Sequence, residues 1–68
     1  YHMKEIPKGI LGEISKIEEE TTELADALAQ GNKLMALQEL SDIYGAMEAM
    51  LGMGKMDISE LQRAYDGR

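Results

Sequence analysis

Apolar residues recur along this chain at helical spacing. From Ile10 they fall at Ile14, Ile17, Leu24 and Leu28, in steps of 4, 3, 7 and 4, the period of an amphipathic helix. Pro7 fixes its own backbone angle and disfavours helix at Ile6, so residues 1–9 read as a lead-in segment and 10–31 as the first helix. Gly31 suits a left-handed C-terminal cap, and Asn32 suits the N-cap of a following helix. A second stripe runs through Leu37, Leu40, Ile43, Tyr44, Met47, Met50 and Leu51, predicting a helix over 33–52 that ends at Gly52 and Gly54. Asp57, followed three residues later by Glu60, has the form of a capping box. It opens a short third helix over 57–66, with Ile58, Leu61 and Tyr65 on its apolar side. No run alternates with period two, and β-branched and aromatic residues are scarce, so no sheet is expected.

The predicted architecture is all-α and a single domain: an antiparallel helical hairpin, closed by a tight Gly-Asn turn, plus a short third helix. A chain of 68 residues buries only about 60% of its unfolded surface and is marginal alone. There is no cysteine for a disulfide, and the single histidine, His2, rules out a zinc site built from Cys and His. Tyr1-His2-Met3 is given no functional role. Oligomerisation is the remaining common source of stability, and two hairpins complete a four-helix bundle. A homodimer or homotetramer is expected. The faces expected to be buried run through Ile10, Ile17, Leu24 and Leu28 on the first helix, and through Leu40, Ile43, Tyr44, Met47 and Leu51 on the second. Met47, Met50, Met53 and Met56 are adaptable apolar filler for the core or a subunit interface.

Charge narrows the function. Thirteen acidic residues against seven basic ones give a net charge of −6. That balance argues against nucleic acid as a partner, because neutralising phosphates takes clustered Lys and Arg. No stretch approaches the roughly 20 apolar residues of a membrane span, and the N-terminus shows no signal-peptide core, so no membrane partner is expected and a cytoplasmic location is the default. The acids themselves are unevenly placed. Glu20 lies about 60–80° to one side of the first stripe, with Glu23 farther out on the same flank beside Lys16 and Ala27. Glu19 and Asp26 fall nearer the solvent side. On the second helix Glu39 and Asp42 share one flank. Each pair is spaced i, i+3, so its members are neighbours, and two antiparallel helices can bring four carboxylates together around a divalent cation. Without a cation, crowded carboxylates would rise in pKa; Mg²⁺ prefers such oxygens and keeps waters and phosphate in its shell. Acid-rich helical runs are ordinarily solvated faces, and periodicity alone leaves both readings open.

The string Glu19-Glu20-Thr21-Thr22-Glu23, then fifteen residues, then Glu39-Leu40-Ser41-Asp42, resembles the EExxE…ExxD signature of MazG-like nucleotide pyrophosphohydrolases, an all-α superfamily. The similarity covers roughly residues 10–52. It implies that Glu20, Glu23, Glu39 and Asp42 are ligands of Mg²⁺, with Mn²⁺ as a substitute. It implies that Glu19 and Glu20 are catalytic, Glu19 as the extra acid beside a second metal or an attacking water. The implied reaction cleaves a nucleoside triphosphate to the monophosphate and pyrophosphate, by metal-assisted phosphoryl chemistry that asks little covalent work of the protein. The chain departs from the family in one place: where relatives carry K-x-x-x-N, Lys55-Met56-Asp57-Ile58-Ser59 has Ser for Asn. Arg63, Arg68 or Lys16 is then left to supply charge to the phosphates, Lys16 being the tentative contact and also spaced for an i, i+4 ion pair with Glu20. The alternative is a non-catalytic acidic helical module that dimerises or binds a partner. No EF-hand loop and no Glu-x-x-His pair is present.

Overall fold

The computed structural model describes residues 1–2 and 5–67; Met3, Lys4 and Arg68, the last of them a suggested phosphate contact, lie outside the described residues. Three helices follow one another: α1 (Ile14–Ala29), α2 (Lys33–Met53) and α3 (Ile58–Asp66), with no strand among the described residues. No helix of the described residues is long and apolar enough to cross a membrane.

Helix α1 starts at Ile14 rather than at Ile10. The chain first turns through Gly12, the Glu13 N–H donating to the Ile10 carbonyl at 3.0 Å, and Glu13 is extended as the N-cap. At the far end Gly31 has φ +68, the left-handed region that only glycine enters without a Cβ penalty. Its N–H donates to the Leu28 carbonyl at 3.0 Å and that of Asn32 to Ala27 at 3.1 Å, the bond pair of a Schellman motif. The Asn32 side chain then accepts from the Met35 N–H at 2.9 Å, so two adjacent residues close one helix and open the next. α2 ends in the same way, but its left-handed residue is Lys55, φ 62, and not Gly52 or Gly54. Lys55 and Met56 donate to the Gly52 and Leu51 carbonyls at 3.0 and 2.9 Å. Asp57 caps α3: it accepts from the Ser59 N–H at 3.0 Å and its own N–H donates to Glu60 at 3.2 Å.

α1 packs along α2, and α3 rests on α2. The surface between α1 and α2 is not the one the apolar stripes predict. The residues buried among those described are Ala27, Ala36 and Ala46 together with Glu19, Glu20, Asp26 and Glu39. Glu19 and Asp26, expected toward solvent, are therefore interior. Leu28 and Leu37 are 64% exposed and Leu40 and Tyr44 52%, so these stripe residues face outward; Ile10 is exposed too, while Ile17 and Leu24 are half-buried. Met47 and Met50 are half-buried, and Met53 and Met56 are exposed. The stripes exist where periodicity puts them. The helices meet instead on the flank, where alanine lets two backbones approach and leaves room for carboxylates.

Two stability measurements check this packing. Lys55→Gly should raise the free energy of unfolding by about 0.5–1 kcal/mol, because glycine relieves the left-handed strain. Ala27, wholly buried, should tolerate no enlargement: Ala27→Leu should cost about 1–3 kcal/mol in urea unfolding.

Candidate metal centre

Glu20 comes from α1, and Glu39 and Asp42 from α2; each offers a carboxylate oxygen, all within 4.8 Å of one another. Glu19, Glu20 and Glu23 make a second such set along α1. Glu20 belongs to both. Glu20 and Glu39 are buried, and Asp42 is more open. The Asp42 carboxylate accepts from Gln38 Nε2 at 3.2 Å. A cavity of about 530 Å³ opens here, lined by Lys16, Glu19, Glu20, Glu23 and Asp42, with the small residues Gly45 and Ala46 beside them.

Buried carboxylates need compensating partners. Glu19 has two. The Gly9 N–H donates to its Oε1 at 2.7 Å, and Lys16 Nζ lies 3.2 Å from the same oxygen. Gly9 foremost, and then Lys16, hold the Glu19 carboxyl below the usual range, while Glu19 raises Lys16 in turn. Gly9 owes its place to its missing side chain: a Cβ would lie 2.2 Å from the Ser15 carbonyl oxygen. Glu20 is less well served. Lys16 is 3.7 Å away, but burial foremost, then the neighbouring Glu23 and also Asp42, push the Glu20 carboxyl up to about 7. Glu39 directs Oε2 to His2 at 2.9 Å, and its buried Oε1 has no hydrogen-bond partner among the described residues.

His2, given no role from sequence, lies in this seam. Its Nδ1 is 2.9 Å from Asp26 Oδ2, and its Nε2 is 2.9 Å from Glu39 and 3.5 Å from Glu23. Asp26 first, and then Glu39 and Glu23, raise its pKa. Gln30 Nε2 donates to Asp26 Oδ2 and to the Tyr1 carbonyl, both at 3.0 Å, tying the first residues to the end of α1. No periodic signal marks His2 or Gly9, since both reach the seam from a segment outside any helix.

Thus Lys16, Glu19, Glu20, Glu23 and Asp42 share one cavity, and Glu39 lies within reach of three of them, Glu20, Glu23 and Asp42. Lys16 is engaged by Glu19 and Glu20 as an ion pair. Arg63 stands apart on α3, 3.9 Å from Glu60, and Lys55 sits in the turn after α2, so neither lines the cavity. The oxygen donors, the unpartnered Glu39 Oε1 and the raised Glu20 carboxyl all mark a place short of positive charge. That is the chemistry a hard dication such as Mg²⁺ fits.

The raised groups fix how the metal-free protein responds to pH. Between about 4.5 and about 7 the folded state holds a proton at Glu20 that the unfolded chain has released, so stability falls as pH rises across that window. His2 acts in the same direction: its ion pairs stabilise the fold below its ordinary value of 6.5 and fade as pH passes its raised one. In chelator, the melting temperature should therefore be lower at pH 8 than at pH 5.5, and Glu20→Gln should shrink the difference. A melting temperature that rises over this range would contradict the picture.

No family model, curated protein or solved structure matches this chain.

Proposed function

We propose that this chain is a Mg²⁺-dependent nucleoside triphosphate pyrophosphohydrolase of the MazG-like kind. It would add water across the bond between the α- and β-phosphates, releasing a nucleoside or deoxynucleoside monophosphate and pyrophosphate. The observation that carries the reading is the convergence of Glu20 with Glu39 and Asp42 from two antiparallel helices, one of them with a buried oxygen left unpartnered. These are also acids of the EExxE…ExxD motif.

Glu20, Glu23, Glu39 and Asp42 would hold the cation, with Mn²⁺ as a substitute. When bound, it supplies charge neutralisation on the phosphate oxygens and a more acidic water. Glu19 is kept ionised by the Gly9 N–H and Lys16, so it can accept a hydrogen bond that orients that water; Glu20 adjoins it. Lys16 Nζ sits in the cavity wall beside Glu19 and Glu20, where a phosphate oxygen can compete for it. The same reading takes the chain to act as a homodimer or homotetramer. What supports this is the absence of any large, fully buried side chain among the described residues and the outward Leu28, Leu37, Leu40 and Tyr44. Paired hairpins would cover those residues as the core of a four-helix bundle.

The outward apolar face also favours a second reading, a non-catalytic helical module whose acids only keep it in solution. Metal response separates the two. For the hydrolase, Mg²⁺ should raise the melting temperature by binding the folded state preferentially, and Asp42→Asn should abolish the increment. Pyrophosphate release should be measured with Mg²⁺ across the eight common ribo- and deoxyribonucleoside triphosphates. Glu39→Gln should lower it on the order of 100-fold or more, as loss of a metal's support does. No release from any of the eight overturns the hydrolase for common nucleotides, and no Mg²⁺ response as well leaves the module.

A further inference from the structure

Beside the oxygen-only set lies a group of different chemistry. His2, Glu23 and Glu39 offer one imidazole nitrogen and two carboxylate oxygens, all within 4.8 Å of one another. The three come from three parts of the chain: the N-terminal segment, α1 and α2. The imidazole is oriented from behind. Its Nδ1 lies 2.9 Å from Asp26 Oδ2, Asp26 is buried, and Gln30 Nε2 donates to the same oxygen at 3.0 Å. A hydrogen on Nδ1 shared with Asp26 turns Nε2 toward Glu39 and Glu23. This is how metal-binding imidazoles are usually set, a carboxylate behind the ring fixing its tautomer and direction. Glu39 adds an independent mark. It is more than nine-tenths buried, and its Oε1 has no hydrogen-bond partner among the described residues.

We propose that His2 Nε2, Glu23 and Glu39 form a binding site for a late first-row dication of the Zn²⁺ and Co²⁺ class, with Asp26 as the residue that positions the ring. Imidazole nitrogen suits these ions, whereas Mg²⁺ keeps to oxygens and water. One nitrogen and two oxygens are three protein ligands, which leaves a further position open for water or an incoming group. Binding exchanges the hydrogen that His2 Nε2 shares with Glu39 for the metal, and that proton leaves to solvent. The site stands apart from the pyrophosphohydrolase reading: His2 and Asp26 belong to no motif of it, and Glu23 and Glu39 are what the two sets of ligands share.

The test is Co²⁺ titration of the full chain, followed by its visible d–d absorption and reversed with Zn²⁺. Wild type should develop the absorption and lose it to Zn²⁺. His2→Ala should weaken Co²⁺ binding about 10–100-fold, and Asp26→Asn about 10-fold, as outer-shell changes do. Both variants should keep the Mg²⁺-dependent rise in melting temperature. Asp42→Asn should do the reverse, keeping the Co²⁺ spectrum and losing the Mg²⁺ response, so the two sites fail separately. The chain holds one histidine, so its ring nitrogens can be read by ¹⁵N NMR without overlap. Zn²⁺ should shift Nε2 and leave the hydrogen on Nδ1 in wild type, and Asp26→Asn should disturb that tautomer even where the fold is intact. Co²⁺ affinity unchanged in His2→Ala, or Zn²⁺ without effect on the ring nitrogens, overturns the proposal and leaves His2 as an ion-pair partner of the acids.

Discussion

The structure depends on carboxylates buried where α1, α2 and the N-terminal segment come together. Glu19, Glu20, Asp26 and Glu39 are buried; Glu20 and Glu39 approach one another across α1 and α2, while the N-terminal segment reaches Glu19 through Gly9 and Asp26 through His2. Charge withdrawn from water is costly unless it is paired, hydrogen-bonded or coordinated, and the chain answers with different means at each position. Glu19 receives a backbone N–H and an ammonium. Asp26 meets an imidazole and an amide. Glu20 and Glu39 are answered incompletely, the first by a raised pKa and the second by an oxygen with no described partner. The incompleteness is local, and it coincides with the motif acids.

Alanine makes this arrangement feasible. Ala27, Ala36 and Ala46 are the buried apolar residues of the described chain. Larger side chains there would hold the helices apart and separate Glu20 from Glu39 and Asp42. The cost is that the hairpin's larger apolar residues lie outward and contribute little to holding one copy together. A small chain that spends its interior on acids must find its hydrophobic burial elsewhere, in keeping with the marginal stability of domains this size.

Element boundaries were readable because their chemistry is local. Gly31, Asn32 and the Asp57–Glu60 pair act on backbone groups a few residues away, so their identities suffice. The start of α1 was less so, since the turn at Gly12 competes with a stripe that already counts Ile10. Orientation of the helices was not readable. Periodicity shows that Leu24, Leu28, Leu40 and Tyr44 share faces, but not whether those faces meet each other or stand outward. The burial of Glu19 and Asp26 was misplaced for the same reason. Among site residues, those on helices could be grouped by i, i+3 spacing. His2 and Gly9 could not: His2 reaches partners 24 and 37 positions away, and such closure leaves no trace in local pattern.

Glu39 is common to the oxygen-only set and to the set that includes His2. A residue held in common makes two binding equilibria one problem. If occupying the first set alters affinity at the second by some factor, occupying the second alters the first by the same factor, whichever ion arrives earlier. Under the proposed assignments Glu23 and Glu39 would serve both ions, so which ion held the seam would depend on the supply of hard and of borderline cations together.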